Sequence, residues 1–329
     1  MSSPLLRLAS HENSGTDPGG GVYMNTTRRN FIGGLSALGA AGVLSGCRWL
    51  CPSGGAKPGL ALQLYSVRDY IEKNGLARTF EEIARLGYRG VEFAGSYEKS
   101  AAELKKMLAD NGLAVVGAHV SRQSFTNKNF EKNVEFELAY GNTLMICPGN
   151  GNCPVSFDSL KEQPVTLTDK QADYAERIVG LYNRAAEICG KMGMKVGLHN
   201  HRWEHQLFFP DGTSYWDYFF ANTDPRVQME QDVGWSACAG IDPIAQYGKY
   251  PHRSVTLHAK ENGGLHPVNF EGILGRCGDA VRKGVDWDGV IAAATQDGVK
   301  WFVVECEYHS DDFGAIGPSA EFLKGKGIV

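Results

Sequence analysis

Several features that would indicate other classes of protein are missing from this 329-residue chain. It has no long run of lysine and arginine and its formal net charge is −4, so a nucleic-acid-binding face is not indicated. Its 8 cysteines lack the paired spacing of a zinc finger. No basic cluster forms a phosphate pocket, and no glycine-rich dinucleotide loop follows the first strand-like run, LALQLYSV at 60–67. Histidine is scarce, at 9 residues, so its concentration in GLHNHRWEH at 197–205 is informative.

Four cysteines stand in or beside apolar stretches, namely Cys147, Cys189, Cys238 and Cys306. In such surroundings cysteine usually behaves as a small buried hydrophobic residue, and we predict that these four cysteines are buried in this way. A disulfide, for example between Cys147 and Cys153, is the alternative if the chain works in an oxidising compartment.

The segment from Thr26 to Cys47, TTRRNFIGGLSALGAAGVLSGC, joins an arginine pair to a short apolar run of small residues. The run is too short and too rich in glycine to be a comfortable permanent membrane helix. It resembles a twin-arginine export signal ending in a lipoprotein-type box, LSGC, in which Cys47 would carry the lipid. An ordinary N-terminal helix is the alternative. We therefore expect an exported protein, either periplasmic or anchored to the membrane through Cys47.

The chain is expected to divide into four parts. Residues 1–23 are predicted to be disordered and to precede the true start at Met24, and 24–47 form the signal. A linker rich in glycine and proline follows at 48–57, and a single catalytic domain occupies 58–329.

Within 58–329, short apolar runs alternate with helical patterns. The predicted strands are 60–67, 90–95, 113–120, 142–149, 194–201, 227–235, 254–261 and 301–308. The predicted helices are 77–88, 100–112, 129–141, 168–193, 212–223, 241–250, 286–298 and 317–327. Eight such alternations predict an α/β fold with a single (β/α)8 TIM barrel. A doubly wound open sheet is the main alternative, but the dinucleotide loop usual in that fold is absent.

TIM-barrel active sites form at the C-terminal ends of the strands, and most of the predicted strands carry polar residues there. From the first strand to the eighth these are Gln63, Glu92, His119, His199, His201, Asp232, His258, Lys260, Glu305 and Glu307. Polar groups among buried aliphatic residues are unfavourable unless they are paired, and one divalent cation would satisfy several at once. Imidazole and carboxylate together suit Mn, Co, Zn or Mg. For any single histidine, an ordinary hydrogen-bonded pocket residue is the alternative.

The strand-end motifs also carry a resemblance to a known family. They are QLYSVRD (63–69), GVEFAG (90–95), LHNHRWEH (198–205), QDVGW (231–235), LHAKE (257–261) and VVECE (303–307). In this order they resemble the xylose isomerase-like barrels, the sugar phosphate isomerases and epimerases related to endonuclease IV, over about 58–329. The resemblance implies a divalent metal held by four strand-end ligands, commonly Glu, Asp, His and Glu. It assigns Asp232, His258 and Glu305 to the last three places.

The first ligand place departs from the family pattern. Epimerases carry a glutamate at the end of the fifth strand, whereas this chain has LHNH, which resembles the branch containing inosose dehydratases. We assign the place to His201, which lies nearer the predicted strand end, with His199 as the alternative. In the epimerases that glutamate doubles as an acid/base, so its loss puts a symmetrical two-glutamate proton exchange in doubt.

The metal chemistry implied by the resemblance is proton abstraction beside a sugar carbonyl. The predicted catalytic residues are His119, Lys260 and Glu305. A nearby cation would lower the pKa of Lys260 and suit it to act as a base. An ion pair with Glu305 or Glu307 is the alternative for this lysine.

A further group of residues is predicted to contact the substrate. It consists of Gln63, Glu92, His199, Glu204, Trp235 and Glu307. Trp203 and Trp235 are suited to stack on the C–H face of a sugar, and packing at the barrel mouth is the alternative for both. The expected partner is a small sugar, with no nucleic acid, and a homo-oligomer is possible on this sequence.

Export and the missing phosphate pocket favour a substrate without phosphate. We expect metal-dependent elimination and hydration of a 3-keto-glycoside, with keto-sugar epimerisation or isomerisation as the second candidate. A non-catalytic sugar-binding lipoprotein is the candidate from another class.

Overall fold

The barrel is seen in a computed structural model that describes residues 57–95, 97–149, 153–155, 164–264, 272–277, 283–307 and 312–329. The predicted signal, its Cys47 and almost all of the linker lie outside the described residues. In the described part of the chain, no helix has both the length and the apolar character needed to cross a bilayer.

Eight parallel strands close into a barrel in the order β1-β10-β9-β8-β6-β4-β3-β2. The barrel strands are β1 (Gly59–Gln63), β2 (Gly90–Phe93), β3 (Ala114–His119), β4 (Leu144–Pro148), β6 (Lys195–His199), β8 (Gln228–Asp232), β9 (Thr256–Ala259) and β10 (Trp301–Val304). Two short strands, β5 (Val165–Thr166) and β7 (Leu207–Phe208), pair separately. The predicted (β/α)8 barrel is confirmed, and the open sheet is wrong.

Helices surround the barrel and add short turns at its mouth. They are α1 (Arg68–Asn74), α2 (Leu76–Arg85), α3 (Ala101–Asp110), α4 (Gln123–Thr126), α5 (Phe130–Tyr140), α6 (Asp169–Lys191), α7 (Trp203–Gln206), α8 (Tyr215–Asn222), α9 (Val233–Cys238), α10 (Pro243–Lys249), α11 (Trp287–Asp297) and α12 (Asp312–Gly325). Thr168 caps α6 in a reciprocal capping box with Gln171.

The eight predicted strands all end earlier than the apolar patterns indicated, and three of these endings bear on the site. Leu64–Val67, expected to continue the first strand, forms a 3-10 turn. The run at 227–235 stops at Asp232 because this side chain accepts a hydrogen bond from the Trp235 backbone N–H at 2.8 Å and begins α9. The run at 194–201 stops at His199. These endings place polar side chains at the carboxyl edge of the barrel.

Apolar side chains fill the space between the strands and the surrounding helices. Inside the barrel, they fill the N-terminal end. In the interior, Ala61, Val116 and Val303 pack with Trp301. Gly59 leaves room for this tryptophan, since a Cβ there would lie 2.2 Å from the ring. The interior toward the carboxyl ends is polar, with Glu92, Glu230 and His258 fully buried. Buried charges of this kind require partners.

The described cysteines agree in part with prediction. Cys147, Cys189 and Cys306 are buried, whereas Cys238 is half-buried. No disulfide joins Cys147 to Cys153.

Candidate metal centre and active site

Four adjacent barrel strands bring potential metal ligands to one point. His199 ends β6, Asp232 ends β8, His258 lies in β9 and Glu305 directly follows β10. One possible ligand atom from each lies within 4.8 Å of those from the other three, and all four residues are buried. The structure therefore brings Asp232, His258 and Glu305 together as the sequence predicted.

At the end of β6, the structure brings His199, and not the preferred His201, to the point where Asp232, His258 and Glu305 converge. β6 ends at His199, so the alternation of side chains along a strand does not extend to His201. The His201 ring is centred 5.2 Å from the His199 ring. The described chain contains a second group of possible ligands, formed by His119, His199, Glu230 and His258, and His201 belongs to neither group. The geometry thus supports the alternative assignment.

A polar atom left without a hydrogen bond at this point fits a cation. Asp232 Oδ2 is buried without a hydrogen-bond partner among the described residues, and such an atom costs about 1–3 kcal/mol. His199 Nδ1 is also buried, and it lies 3.4 Å from Glu230 Oε1. The other oxygen of Asp232 caps α9, and Asn200 Oδ1 accepts from its backbone N–H at 2.9 Å, so the carboxylate is fixed. Burial raises the pKa of Asp232 to about 7, an effect that a neighbouring cation opposes. Two imidazoles and two carboxylates could hold a divalent metal ion.

Lys260 is held by carboxylates beside these ligands. Its Nζ lies 3.1 Å from Glu305 Oε2, 3.1 Å from Glu307 Oε2 and 3.9 Å from Asp232 Oδ2. Burial favours a lower pKa for Lys260, but the charges of Glu305, Glu307 and Asp232 outweigh it and raise the pKa. The structure therefore shows the alternative interpretation, an ion pair, and in this arrangement the lysine is an ammonium ion.

A second buried layer lies behind the ligands. Glu92 Oε2 accepts a hydrogen bond from Gln63 Nε2 at 2.7 Å and lies 2.6 Å from His258 Nε2. Glu230 Oε1 lies 2.8 Å from His119 Nε2 and 3.0 Å from His258 Nε2. Gln63 and Glu92, predicted to contact substrate, are fully buried and bonded to the protein. Their place is therefore beneath the ligands.

Glu230 was missed in the sequence, although a signal was present. It precedes Asp232 by two residues in β8, so both side chains face the same side of the strand. Burial favours a higher pKa for Glu230, but the imidazoles of His258, His119 and His199 outweigh it and hold the pKa well below its usual value. Burial and the Glu230 charge raise the pKa of Glu92 to about 7.

Aromatic rings form a wall at the mouth of the barrel. The His201 ring lies 5.9 Å from the Trp203 ring and 5.9 Å from the Trp235 ring, and the two tryptophans lie 6.5 Å apart. Lys260 Nζ lies 5.5 Å from the centre of the Trp235 ring. The wall therefore adjoins the ion-paired lysine.

The remaining polar residues of HNHRWEH face the protein. Glu204 is buried and accepts a hydrogen bond from the His201 backbone N–H at 2.8 Å, and burial raises its pKa to about 7. Its Oε1 approaches β4 so closely that a Cβ on Gly149 would lie 1.6 Å away. His205 packs against Trp216, with ring centres 5.1 Å apart. The three histidines of the motif therefore occupy three different environments.

Comparison with known proteins identifies the family. Residues 80–326 match the family model described as xylose isomerase-like TIM barrel. The chain belongs to this family. The resemblance inferred from the strand-end motifs is thus confirmed.

Individual relatives show moderate similarity to the chain. An inosose dehydratase from Erwinia tasmaniensis is 28% identical over 72% of this chain and 84% of its own length. The rhizopine catabolism protein MocC from Rhizobium meliloti is 24% identical over 70% of this chain and 74% of its own length. A sugar phosphate isomerase/epimerase from Parabacteroides distasonis shares the fold, with a TM-score of 0.62 and 24% identity over 83% of this chain and 95% of its own length.

Proposed function

We propose that this xylose isomerase-like barrel is a metal-dependent enzyme that abstracts a proton beside the carbonyl of a keto-sugar or 3-keto-glycoside without phosphate. The observation that carries the proposal is the convergence of His199, Asp232, His258 and Glu305, with ligand atoms within 4.8 Å of one another. The name dehydratase, borne by one relative, denotes loss of water and supports elimination as the reaction class.

The four converging residues would hold the cation. A bound cation would polarise the carbonyl and an adjacent hydroxyl of the substrate and make the neighbouring C–H more acidic. Two imidazole nitrogens among the donors suit Mn, Co or Zn better than Mg.

The neighbouring charges suggest an asymmetric proton transfer. Burial favours a higher pKa for Glu305, but Lys260 and His258 outweigh it and hold the pKa well below its usual value, so this carboxylate is ionised and can accept the C–H proton. Lys260, as an ammonium, can donate a proton to the group that leaves from the next carbon. An imidazole, His199, stands where a second glutamate would return the proton. This pairing favours elimination, followed by addition of water, over epimerisation.

His119 is a further candidate for proton transfer. It is half-buried, its Nε2 lies 2.8 Å from Glu230 Oε1, and its ring is stacked 5.1 Å from the His258 ring. Burial opposes protonation, but the charges of Glu92 and Glu230 outweigh it and raise the pKa. A raised pKa favours the protonated ring, which suits His119 to donate a proton.

The mouth of the barrel suits an uncharged sugar. The wall of His201, Trp203 and Trp235 presents flat rings on which sugar C–H surfaces stack. Lys260 is engaged by Glu305 and Glu307 at 3.1 Å each, which leaves it poorly placed to hold a phosphate. These contacts support a substrate without phosphate.

Elemental analysis of the purified protein, followed by assays on keto-glycosides, tests the proposal. Chelation should abolish turnover, and restoring Mn, Co or Zn should recover it. His199→Ala should lose the metal, whereas the matched variant His201→Ala should retain it and bind substrate more weakly. Full turnover by the chelated protein would exclude the proposed chemistry.

Export is a separate proposal and rests on the sequence from Thr26 to Cys47. Cell fractionation should find the protein outside the cytoplasm. Arg28→Lys with Arg29→Lys should keep it inside, and Cys47→Ala should release it from the membrane. Retention of the unaltered chain in the cytoplasm would contradict this.

A further inference from the structure

Both ring nitrogens of His258 are engaged, on opposite sides of the imidazole. Nδ1 lies 3.0 Å from Glu305 Oε2, a member of the proposed ligand set. Nε2 lies 2.6 Å from Glu92 Oε2 and 3.0 Å from Glu230 Oε1. Two carboxylates therefore stand behind the ring, on the side away from Glu305.

The Glu92 carboxylate is held in a space shaped for it. Gln63 Nε2 donates to Oε2 at 2.7 Å across the paired strands β1 and β2. On the other side, Gly117 of β3 pairs with Glu92, and a Cβ there would lie 2.6 Å from Oε1. The neighbouring strand thus leaves room for the carboxylate because it carries no side chain at this position.

Glu230 is held as firmly, by different partners. Thr256 Oγ1 donates to its Oε2 at 2.7 Å, and Oε1 lies 2.8 Å from His119 Nε2. Glu230 has no exposed surface. A carboxylate so enclosed can act on a substrate only through the residues that it touches.

We propose that Glu92 and Glu230 are positioning residues that hold His258 through Nε2 and so keep Nδ1, beside Glu305, as the metal-binding atom. A carboxylate that accepts the second N–H of a metal-ligating histidine fixes the tautomer and ring orientation and makes the ring a better ligand. The inference rests on the proposed metal-dependent function. It assigns a role in metal affinity to Glu92 of β2 and Glu230 of β8. Both carboxylates are fully buried, so they cannot act by contacting the substrate.

Binding of Co²⁺ to the metal-stripped full chain tests this assignment. Visible absorption of Co²⁺ reports the coordination geometry, titration gives the Kd, and elemental analysis gives the stoichiometry. The variants are Glu92→Gln, Glu230→Gln and Gly117→Ala, the last of which displaces Glu92 without changing its chemistry. The matched control is Glu137→Gln, which removes a buried carboxylate bonded to Tyr140 and Asn142 away from the site.

The unaltered chain should bind one ion, and each of the three variants should weaken binding by about 10–100-fold and alter the Co²⁺ spectrum. Glu137→Gln should leave the Kd within about twofold, even if its thermal stability falls. Unchanged Kd and spectrum in both glutamine variants would overturn the assignment while leaving the proposed function intact. Two ions per chain, one of them lost in Glu230→Gln, would also overturn it, because Glu230 would then be a ligand. Failure of the unaltered chain to bind any divalent ion would refute both proposals.

Discussion

His205, the last histidine of HNHRWEH, should make the protein less stable in mild acid. Its ring is buried beside Trp216, and Nε2 lies 3.2 Å from Ser236 Oγ. Burial lowers its pKa from 6.5 to about 4. Between these two values the unfolded chain binds a proton that the folded protein does not, so the free energy of unfolding falls as the pH falls.

The size of the effect follows from the two pKa values. With 6.5 in the unfolded chain and about 4 in the folded protein, His205 alone lowers the free energy of unfolding by about 2 kcal/mol between pH 7.5 and pH 5. The loss reaches about 3 kcal/mol near pH 3.5 and then stops, because both states are protonated below pH 4. His205→Gln removes this contribution while keeping a side chain that can bond Ser236.

Urea unfolding at pH 7.5 and pH 5, monitored by tryptophan fluorescence with chelator present, measures how far the free energy of unfolding falls between the two pH values. Between the two pH values, His205→Gln should lose about 2 kcal/mol less stability than the unaltered protein. Other buried histidines titrate in both proteins and cancel in the comparison. An equal loss in His205→Gln and the unaltered protein would refute the reasoning.

Three further predictions concern the barrel mouth. Gly149→Ala should lower the free energy of unfolding by about 1–3 kcal/mol, because its Cβ would overlap Glu204 Oε1. Thermal unfolding should show that this loss of stability disappears in a Glu204→Ala background. If the loss persisted there, the contact would not be its cause. Lys260→Met should reduce kcat by about 10²–10⁴-fold, because the variant lacks the proton donor, and KM should stay within a few-fold of the unaltered enzyme's. An unchanged kcat in steady-state assays would exclude that role. Trp235→Leu should raise KM by about tenfold through lost stacking, and an effect confined to kcat would argue against a substrate wall.

Much of the candidate site could be read from the sequence because parallel barrel strands deliver their carboxyl ends to one face. Asp232, His258 and Glu305 were predicted as ligands by combining strand position with the family pattern. His258 and Lys260 are two residues apart along the chain, and both lie within 3.1 Å of Glu305 Oε2. The order of the strands and the alternation of side chains indicated which residues reach this face, and the family resemblance assigned them as ligands.

The choice between His199 and His201 depended on where β6 ends. An apolar run does not mark that point, because strand ends are decided by hydrogen bonds to neighbouring strands. β6 pairs with β8 as far as His199 and no further. The expected extension to His201 was therefore wrong by two residues, enough to change which histidine lies beside Asp232, His258 and Glu305.

The amino-acid sequence by itself determined the barrel, the order of its strands and most of the side chains at its carboxyl face, because these follow from local apolar patterns. Tertiary structure decided which groups meet inside it. Glu92 and His258 are 166 residues apart and meet inside the closed barrel. Lys260 meets Glu307 because β9 pairs with β10. The tertiary structure thus brings these charges within 4 Å in a buried setting, where the pKa of each group depends on the others.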